Sequence, residues 1–176
     1  MNTIEQLREP LPPYAKDTKL NLASVLTEEG APGLTSKQIF SIALASAYAV
    51  KQTDVVQAII GSAQEILNDQ DIEAAKSAAT IMAMNNVYYR FIHMASDKSY
   101  ASMPAKLRMN VIGNPGVPKV DFELNCLAVS AINGCGMCID AHVQELVKVG
   151  VTTLAVQSAV RIAAVINSAA MGVMCG

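Results

Sequence analysis

The chain has 176 residues, of which 52% are hydrophobic and only 16% charged, with no Trp and a formal net charge of −2. This length suits one domain or two small repeats around a shared core, and the apolar fraction excludes a disordered chain. The weak net charge and the 5% aromatic content leave neither an electrostatic footprint nor a stacking surface for nucleic acid.

Mean hydropathy is +0.31, which points to unusual burial continued into subunit contacts. The longest uncharged runs, 124–139 and 162–176, fall short of the roughly 20 apolar residues of a membrane-spanning helix. The opening segment MNTIEQLREPLPPYAKD carries charges and prolines where a signal peptide needs an apolar stretch. A cytoplasmic protein is expected, with no membrane partner.

Taken in chain order, apolar residues at three- and four-residue spacing predict helices over 2–8, 17–27, 35–50, 53–67, 70–94, 102–112, 120–132, 135–149 and 152–172. No segment shows sustained strand alternation, so the fold class is all-α. Pro10, Pro12 and Pro13 interrupt the N-terminus, and Gly30, Pro32 and Gly33 form a loop before Thr35 or Ser36, either of which can cap the next helix. Asn114-Pro115-Gly116 reads as a turn. Asn133-Gly134 closes one helix and opens the next, Gly150 suits the residue after a helix end, and Thr152 suits an N-cap.

A weak internal repeat is expected over 35–94 and 102–172, within a single domain spanning 1–176. At an offset of 48 residues, Met84-Asn85-Asn86 aligns with Ile132-Asn133-Gly134, and Val87 and Arg90 fall at the positions of Cys135 and Cys138. Chance likeness between Ala-rich helices stands beside this reading. The repeat implies two related helical units and one active site per chain.

Four cysteines are present: Cys126, Cys135, Cys138 and Cys175. Free cysteines are ordinarily buried and inert, and Cys126 and Cys175 are read so. Cys135 and Cys138 form a CxxC, which in a cytosolic chain signals redox chemistry or a metal. At the start of a helix the two share a face, their Cα atoms about 5–6 Å apart, close enough for a disulfide. Free N–H groups at the helix end favour thiolate there.

His142 lies four residues beyond Cys138, on the same face and leaning toward it. An imidazole beside a thiol is the usual way to form thiolate near neutral pH. Glu123 is the third candidate. In a hairpin folded at Asn133-Gly134 it lies about 16 Å from the fold, and His142 about 12 Å, at 1.5 Å per residue. A carboxylate at nearly the same level can meet His142 directly or through one water. The plain alternative is a Glu favoured near a helix start by the dipole.

Zinc bound by Cys135, Cys138 and His142 would need a fourth ligand from Cys126, Cys175, His93 or Glu123. A non-catalytic zinc-stabilised binding module is thus the alternative furthest from redox chemistry, and no bound metal or tightly held cofactor is expected. Ile139 stands where a CxxCH haem motif needs His, and no βαβ pattern surrounds the dithiol. Of the remaining residues, His93 is read as structural and the nine Met as core filling. Asn114-Pro115-Gly116 is read as a plain turn, with a site entrance beside Glu123 as the other option. Arg108 stays open between an interface ion pair and solvent.

The segment FELNCLAVSAINGCGMCIDAH strongly resembles the alkyl hydroperoxide reductase D (AhpD) family, within the carboxymuconolactone decarboxylase-like superfamily. Glu123, Cys135, Cys138 and His142 match the family pattern of Glu, CxxC and His in full. LPPYAKDTKLNLASVL, IMAMNNVYYR and LRMNVIGNPGVPK also look like the family, so the likeness covers nearly the whole chain. It implies an AhpD-like helical fold with two similar halves, a homotrimer, and a lipoyl-dependent peroxiredoxin with weak alkyl hydroperoxidase activity of its own. It further implies electron transfer to the partner peroxiredoxin, alkyl hydroperoxide reductase C. The implied reductant is dihydrolipoamide, carried on a lipoylated 2-oxoacid dehydrogenase acyltransferase and recharged by lipoamide dehydrogenase.

By the same resemblance, Cys138 attacks peroxide and becomes sulfenic acid, Cys135 is proton donor and resolving partner, and His142 and Glu123 relay protons. One departure is Met137, where some members carry His before the second cysteine; Met cannot donate that proton, and contact with a lipoyl arm is a second option for it. A carboxymuconolactone decarboxylase-type enzyme and a disulfide reductase without peroxide activity are the nearer alternatives.

Overall fold

The computed structural model describes residues 3–176, and every regular element among them is helical. Nine α-helices follow in order: α1 Ile4–Arg8, α2 Lys16–Val25, α3 Ser36–Val50, α4 Thr53–Ser62, α5 Asp69–Met94, α6 Asn110–Gly113, α7 Lys119–Asn133, α8 Gly136–Lys148 and α9 Thr153–Cys175. The expected first residue of α1, Asn2, lies outside the described residues.

Caps set most boundaries. Thr35 accepts from the Gln38 N–H while the Gln38 side chain returns to Thr35, a reciprocal cap that starts α3. Asn68 and Asp71 do the same for α5. Thr152 caps α9 through the Ala155 N–H.

Three expected elements differ from those observed. The helix expected over 102–112 is absent: a 3-10 turn at Lys98–Ser102 is followed by non-helical chain and then only the four residues of α6. Pro104 disfavours helical geometry at Met103, whose ψ is 139°, and Pro115 stops α6 from extending. The helix expected over 53–67 ends at Ser62, where the Ala63 N–H turns back to the Ile59 and Ile60 carbonyls. That expected over 17–27 runs from Lys16 to Val25, and Thr27 Oγ1 then donates to the Ser24 carbonyl.

Two helical triplets recur, but at a spacing other than 48 residues. The 15-residue helices α3 and α7 start at Ser36 and Lys119 and end at Val50 and Asn133, an offset of 83 residues, as do the starts of α4 and α8. Both 15-residue helices are followed by a left-handed residue, Lys51 at φ 59° and Gly134 at φ 68°. Matching positions also touch: Gln38 Nε2 donates to Asp121 Oδ1 at 2.8 Å across that offset. The 48-residue alignment is therefore a chance match between Ala-rich helices.

At the observed spacing, the counterparts of Glu123, Cys135, Cys138 and His142 are Phe40, Gln52, Val55 and Ile59. Gln52 still caps α4, accepting from the Asp54 N–H. The first triplet keeps the scaffold without the redox chemistry.

The core lies where α3 and α7 pack on each other and on α5 and α9. Ile39, Ile42 and Leu44 of α3, Phe122, Leu124 and Leu127 of α7, and Ile162 and Ile166 of α9 are all fully buried. Burying each such side chain contributes about 1.5–3 kcal/mol. Ala43, Ala47, Ala78, Ala128, Ala159 and Ala163 fill the positions between them, and their small size lets the helices approach closely.

Helix α9 is long and apolar enough, by length and composition, to cross a membrane. This differs from the expectation drawn from uncharged runs, because Arg161 divides the apolar stretch without ending the helix. Here its apolar face packs against α2, α3 and α7.

Candidate active site

The dithiol is set by the turn between α7 and α8. Gly134 ends α7 in the left-handed region that glycine adopts without penalty. The Gly134 N–H donates to the Ala131 carbonyl and the Cys135 N–H to the Ser130 carbonyl. This turn delivers Cys135 to the N-cap of α8 and Cys138 to its first turn. The Cys138 N–H donates to Cys135 Sγ at 3.3 Å, so the helix end supports negative charge on that sulfur. Cys135 and Cys138 are joined as a disulfide with Cα atoms 5.3 Å apart. Cys135 has no exposed surface and Cys138 has 6%.

One turn further along α8, His142 meets Glu123 directly: Nδ1 and Oε2 are 2.6 Å apart. Glu123 is 5% exposed and His142 8%. The expected meeting of the two side chains therefore occurs without a bridging water. A buried pair of this kind gains from low dielectric and suffers when one partner is removed.

The other ring nitrogen, Nε2, lies 3.3 Å from the thioether sulfur of Met82 on α5. That sulfur also accepts from Ser130 Oγ at 3.5 Å. Asn86 Nδ2 donates to Ser130 Oγ at 2.9 Å, Asn133 Nδ2 to Asn86 Oδ1 at 2.9 Å, and Arg90 Nη1 to the Asn133 carbonyl at 2.6 Å. A polar chain thus runs from the His142 ring to a groove of about 800 Å³ lined in part by Lys51, Lys76, Val87, Arg90 and Asn133.

Sequence reasoning missed this chain. Ser130 stood out there only for its small size near Glu123, whereas it is a buried hydrogen-bonding residue. Met82 was counted among core methionines, which remains true of its burial but omits its contact with His142. The polar run Met84-Asn85-Asn86, conspicuous in an apolar helix, was the available signal.

His93 is exposed, with its ring close to the CxxC: a methyl carbon added to Gly136 would lie 3.7 Å from it. Asn85 is buried beside the dithiol, its carbonyl 4.0 Å from Cys138 Sγ and its Oδ1 without a hydrogen-bond partner.

The other two cysteines part company. Cys126 is buried, and burial first, then the negative charge of Glu123, pushes its thiol well above the ordinary value. Cys175 is exposed at the end of α9 and is not the core residue expected. Among the described residues, no three His, Cys, Asp or Glu side chains converge as a metal site.

Comparison with known proteins agrees with this constellation. An alkyl hydroperoxide reductase AhpD of Rhodopseudomonas palustris (strain BisA53) is 53% identical over 174 residues, covering 99% of this chain and 94% of that protein. The chain belongs to the AhpD family. Another AhpD, from Coxiella burnetii (strain RSA 493 / Nine Mile phase I), is 50% identical over 167 residues, 95% of this chain and 94% of its own length. A third, from Brucella anthropi, is 53% identical over 169 residues, covering 96% and 95%. The carboxymuconolactone decarboxylase family matches residues 99–173, a span that includes α7, α8 and nearly all of α9.

Proposed function

We propose that this chain, acting as a single domain with one active site, is an antioxidant alkyl hydroperoxide reductase that cycles between a Cys135–Cys138 dithiol and disulfide. The observation that carries the reading is the redox pair at the N-terminus of α8 with the buried Glu123–His142 pair one turn behind it. The AhpD relatives support the same activity.

In the reduced protein, His142 draws the proton from Cys138, with Glu123 holding the imidazole in place. The Cys138 thiolate attacks a peroxide oxygen and becomes sulfenic acid, releasing an alcohol that takes up the proton. Cys135 condenses with the sulfenic acid, water leaves, and the disulfide forms. Dihydrolipoamide reverses the last step. One of its sulfurs attacks Cys138, the more exposed of the pair, and Cys135 leaves as a thiolate supported by the Cys138 N–H. Its second sulfur then displaces Cys138 and closes the lipoyl disulfide.

The same dithiol passes electrons to the peroxiredoxin alkyl hydroperoxide reductase C by thiol exchange. Dihydrolipoamide arrives on a lipoylated 2-oxoacid dehydrogenase acyltransferase recharged by lipoamide dehydrogenase. We place this work in the cytoplasm, where thiols are kept reduced. Val87, Phe91 and Met94 are exposed along one face of α5, as are Met171 and Met174 on α9, which supports assembly as a homotrimer.

The test is a reconstituted turnover assay with lipoamide dehydrogenase, the lipoylated acyltransferase and an alkyl hydroperoxide, run with and without the peroxiredoxin. NADH oxidation that requires both Cys135 and Cys138 is expected, faster with the peroxiredoxin. Full turnover by either Cys→Ser variant overturns the scheme. Because the carboxymuconolactone decarboxylase family matches the catalytic half, a decarboxylase is the second reading. Lactone turnover by the Cys135→Ser/Cys138→Ser protein would favour it.

A further inference from the structure

His142 lies between two groups that face its two ring nitrogens, Glu123 at Nδ1 and Met82 at Nε2. A thioether sulfur only accepts hydrogen bonds, and so does an ionised carboxylate. With Glu123 ionised, both nitrogens must donate, which makes the ring an imidazolium. With the shared proton on Glu123 instead, Nε2 still carries its own. The count is the same either way: one proton lies between Glu123 and Nδ1, and a second lies on Nε2.

The surroundings support Met82 in this role. It is 1% exposed, so no water competes for its sulfur. Ser130 Oγ contacts the same sulfur and is itself engaged by Asn86, which is tied in turn to Asn133. The groups facing the ring or its immediate partners are Glu123 and Ser130 from α7, Met82 and Asn86 from α5, and Cys138 from its own helix. Among them, Glu123 is the one that brings a full negative charge while Cys138 is in a disulfide.

We propose that Met82 is a positioning residue of the redox cycle, whose thioether keeps a proton on Nε2 of His142 while Cys135 and Cys138 are oxidised. The inference rests on the relay reading above and supplies a proton for one of its steps. When a dithiol reductant has formed a mixed disulfide on Cys138, its second sulfur attacks the first. The new sulfur–sulfur bond closes within the reductant, the bond to Cys138 breaks, and its electron pair stays on Cys138 Sγ. The Nε2 proton quenches that thiolate. The reductant is oxidised by two electrons and the protein disulfide is reduced to two sulfhydryl groups.

The test is the ¹⁵N spectrum of the histidine rings in the oxidised protein at neutral pH. The chain has two histidines, so His93→Gln assigns both. Wild type is expected to show a protonated-type Nε2 resonance for His142. Met82→Leu, which keeps the bulk and removes the acceptor, is expected to shift it to the unprotonated position. Met82→Gln, which restores an acceptor oxygen, is expected to return it.

An unprotonated-type Nε2 in wild type overturns the assignment without recourse to any variant. An unshifted resonance in folded Met82→Leu overturns it as well. Failure of the relay reading shows up separately, as full peroxide turnover by His142→Phe.

Discussion

Glu123 and His142, 19 residues apart in sequence, meet in the interior with Oε2 and Nδ1 separated by 2.6 Å. Neither side chain would be buried alone at acceptable cost; together they form a compact pair behind the dithiol. Glu123→Gln keeps the shape but removes the charge that holds the imidazole. Its peroxide turnover with dihydrolipoamide is expected to fall by about 10²-fold or more, in line with general acid–base contributions. Steady-state kcat/KM checks this, with circular dichroism to show that the fold is retained.

Cys126 lies three residues beyond Glu123, and its thiol is pushed up by burial and by that carboxylate. It is expected to resist alkylation while exposed Cys175 reacts. Mass spectrometry after brief iodoacetamide treatment of the oxidised protein should find the label on Cys175 and none on Cys126. The same shift sets a sign for stability. The unfolded thiol ionises near its ordinary value of 9.0 while the folded one keeps its proton. The contribution of Cys126 is therefore fully present below that pH and is lost as pH rises above it. Denaturant midpoints of wild type and Cys126→Ala compared across that range test it: wild type should lose more.

Gly30 and Gly134 are both turn glycines, but for different reasons. At Gly134 a Cβ meets nothing within 4 Å, and only the left-handed backbone at φ 68° opposes it. Gly134→Ala is expected to cost about 1–2 kcal/mol. At Gly30 a Cβ would stand 1.9 Å from the Ser24 carbonyl oxygen, a backbone atom. Gly30→Ala therefore requires the α2–α3 loop to move and should be the more damaging of the two. Urea unfolding of both variants gives the order.

Phe122 is wholly buried and directly precedes Glu123 on α7. Phe122→Ala is expected to destabilise by about 3–5 kcal/mol, and to reduce turnover as well by loosening the helix that carries the carboxylate. A variant that loses stability and keeps full activity would separate the core from the site.

The hairpin carrying the site could be worked out from sequence because its logic is local. The CxxC, the four-residue step to His142 and the helical rise to Glu123 involve only two consecutive helices and one Gly turn. Met82 could not be placed in the same way. It comes from α5, 60 residues before His142, and only tertiary packing brings the two together. The repeat spacing was misjudged for a related reason: Ala-rich helices match one another at many offsets, whereas the true offset is marked by turns, at Lys51 and Gly134. The missing helix over 102–112 reflects apolar periodicity overruled by Pro104, and an exposed Cys175 reflects a helix end that runs past the core.

The central claim is that Cys138 is the sulfur that attacks peroxide. The most direct measurement is to reduce the single variants Cys135→Ser and Cys138→Ser, expose them to one equivalent of an alkyl hydroperoxide in the presence of dimedone, and map the adduct by mass spectrometry. The account expects a sulfenic acid adduct on Cys138 in Cys135→Ser, and none on Cys135 in Cys138→Ser. An adduct on Cys135 with Cys138 unmodified would contradict it.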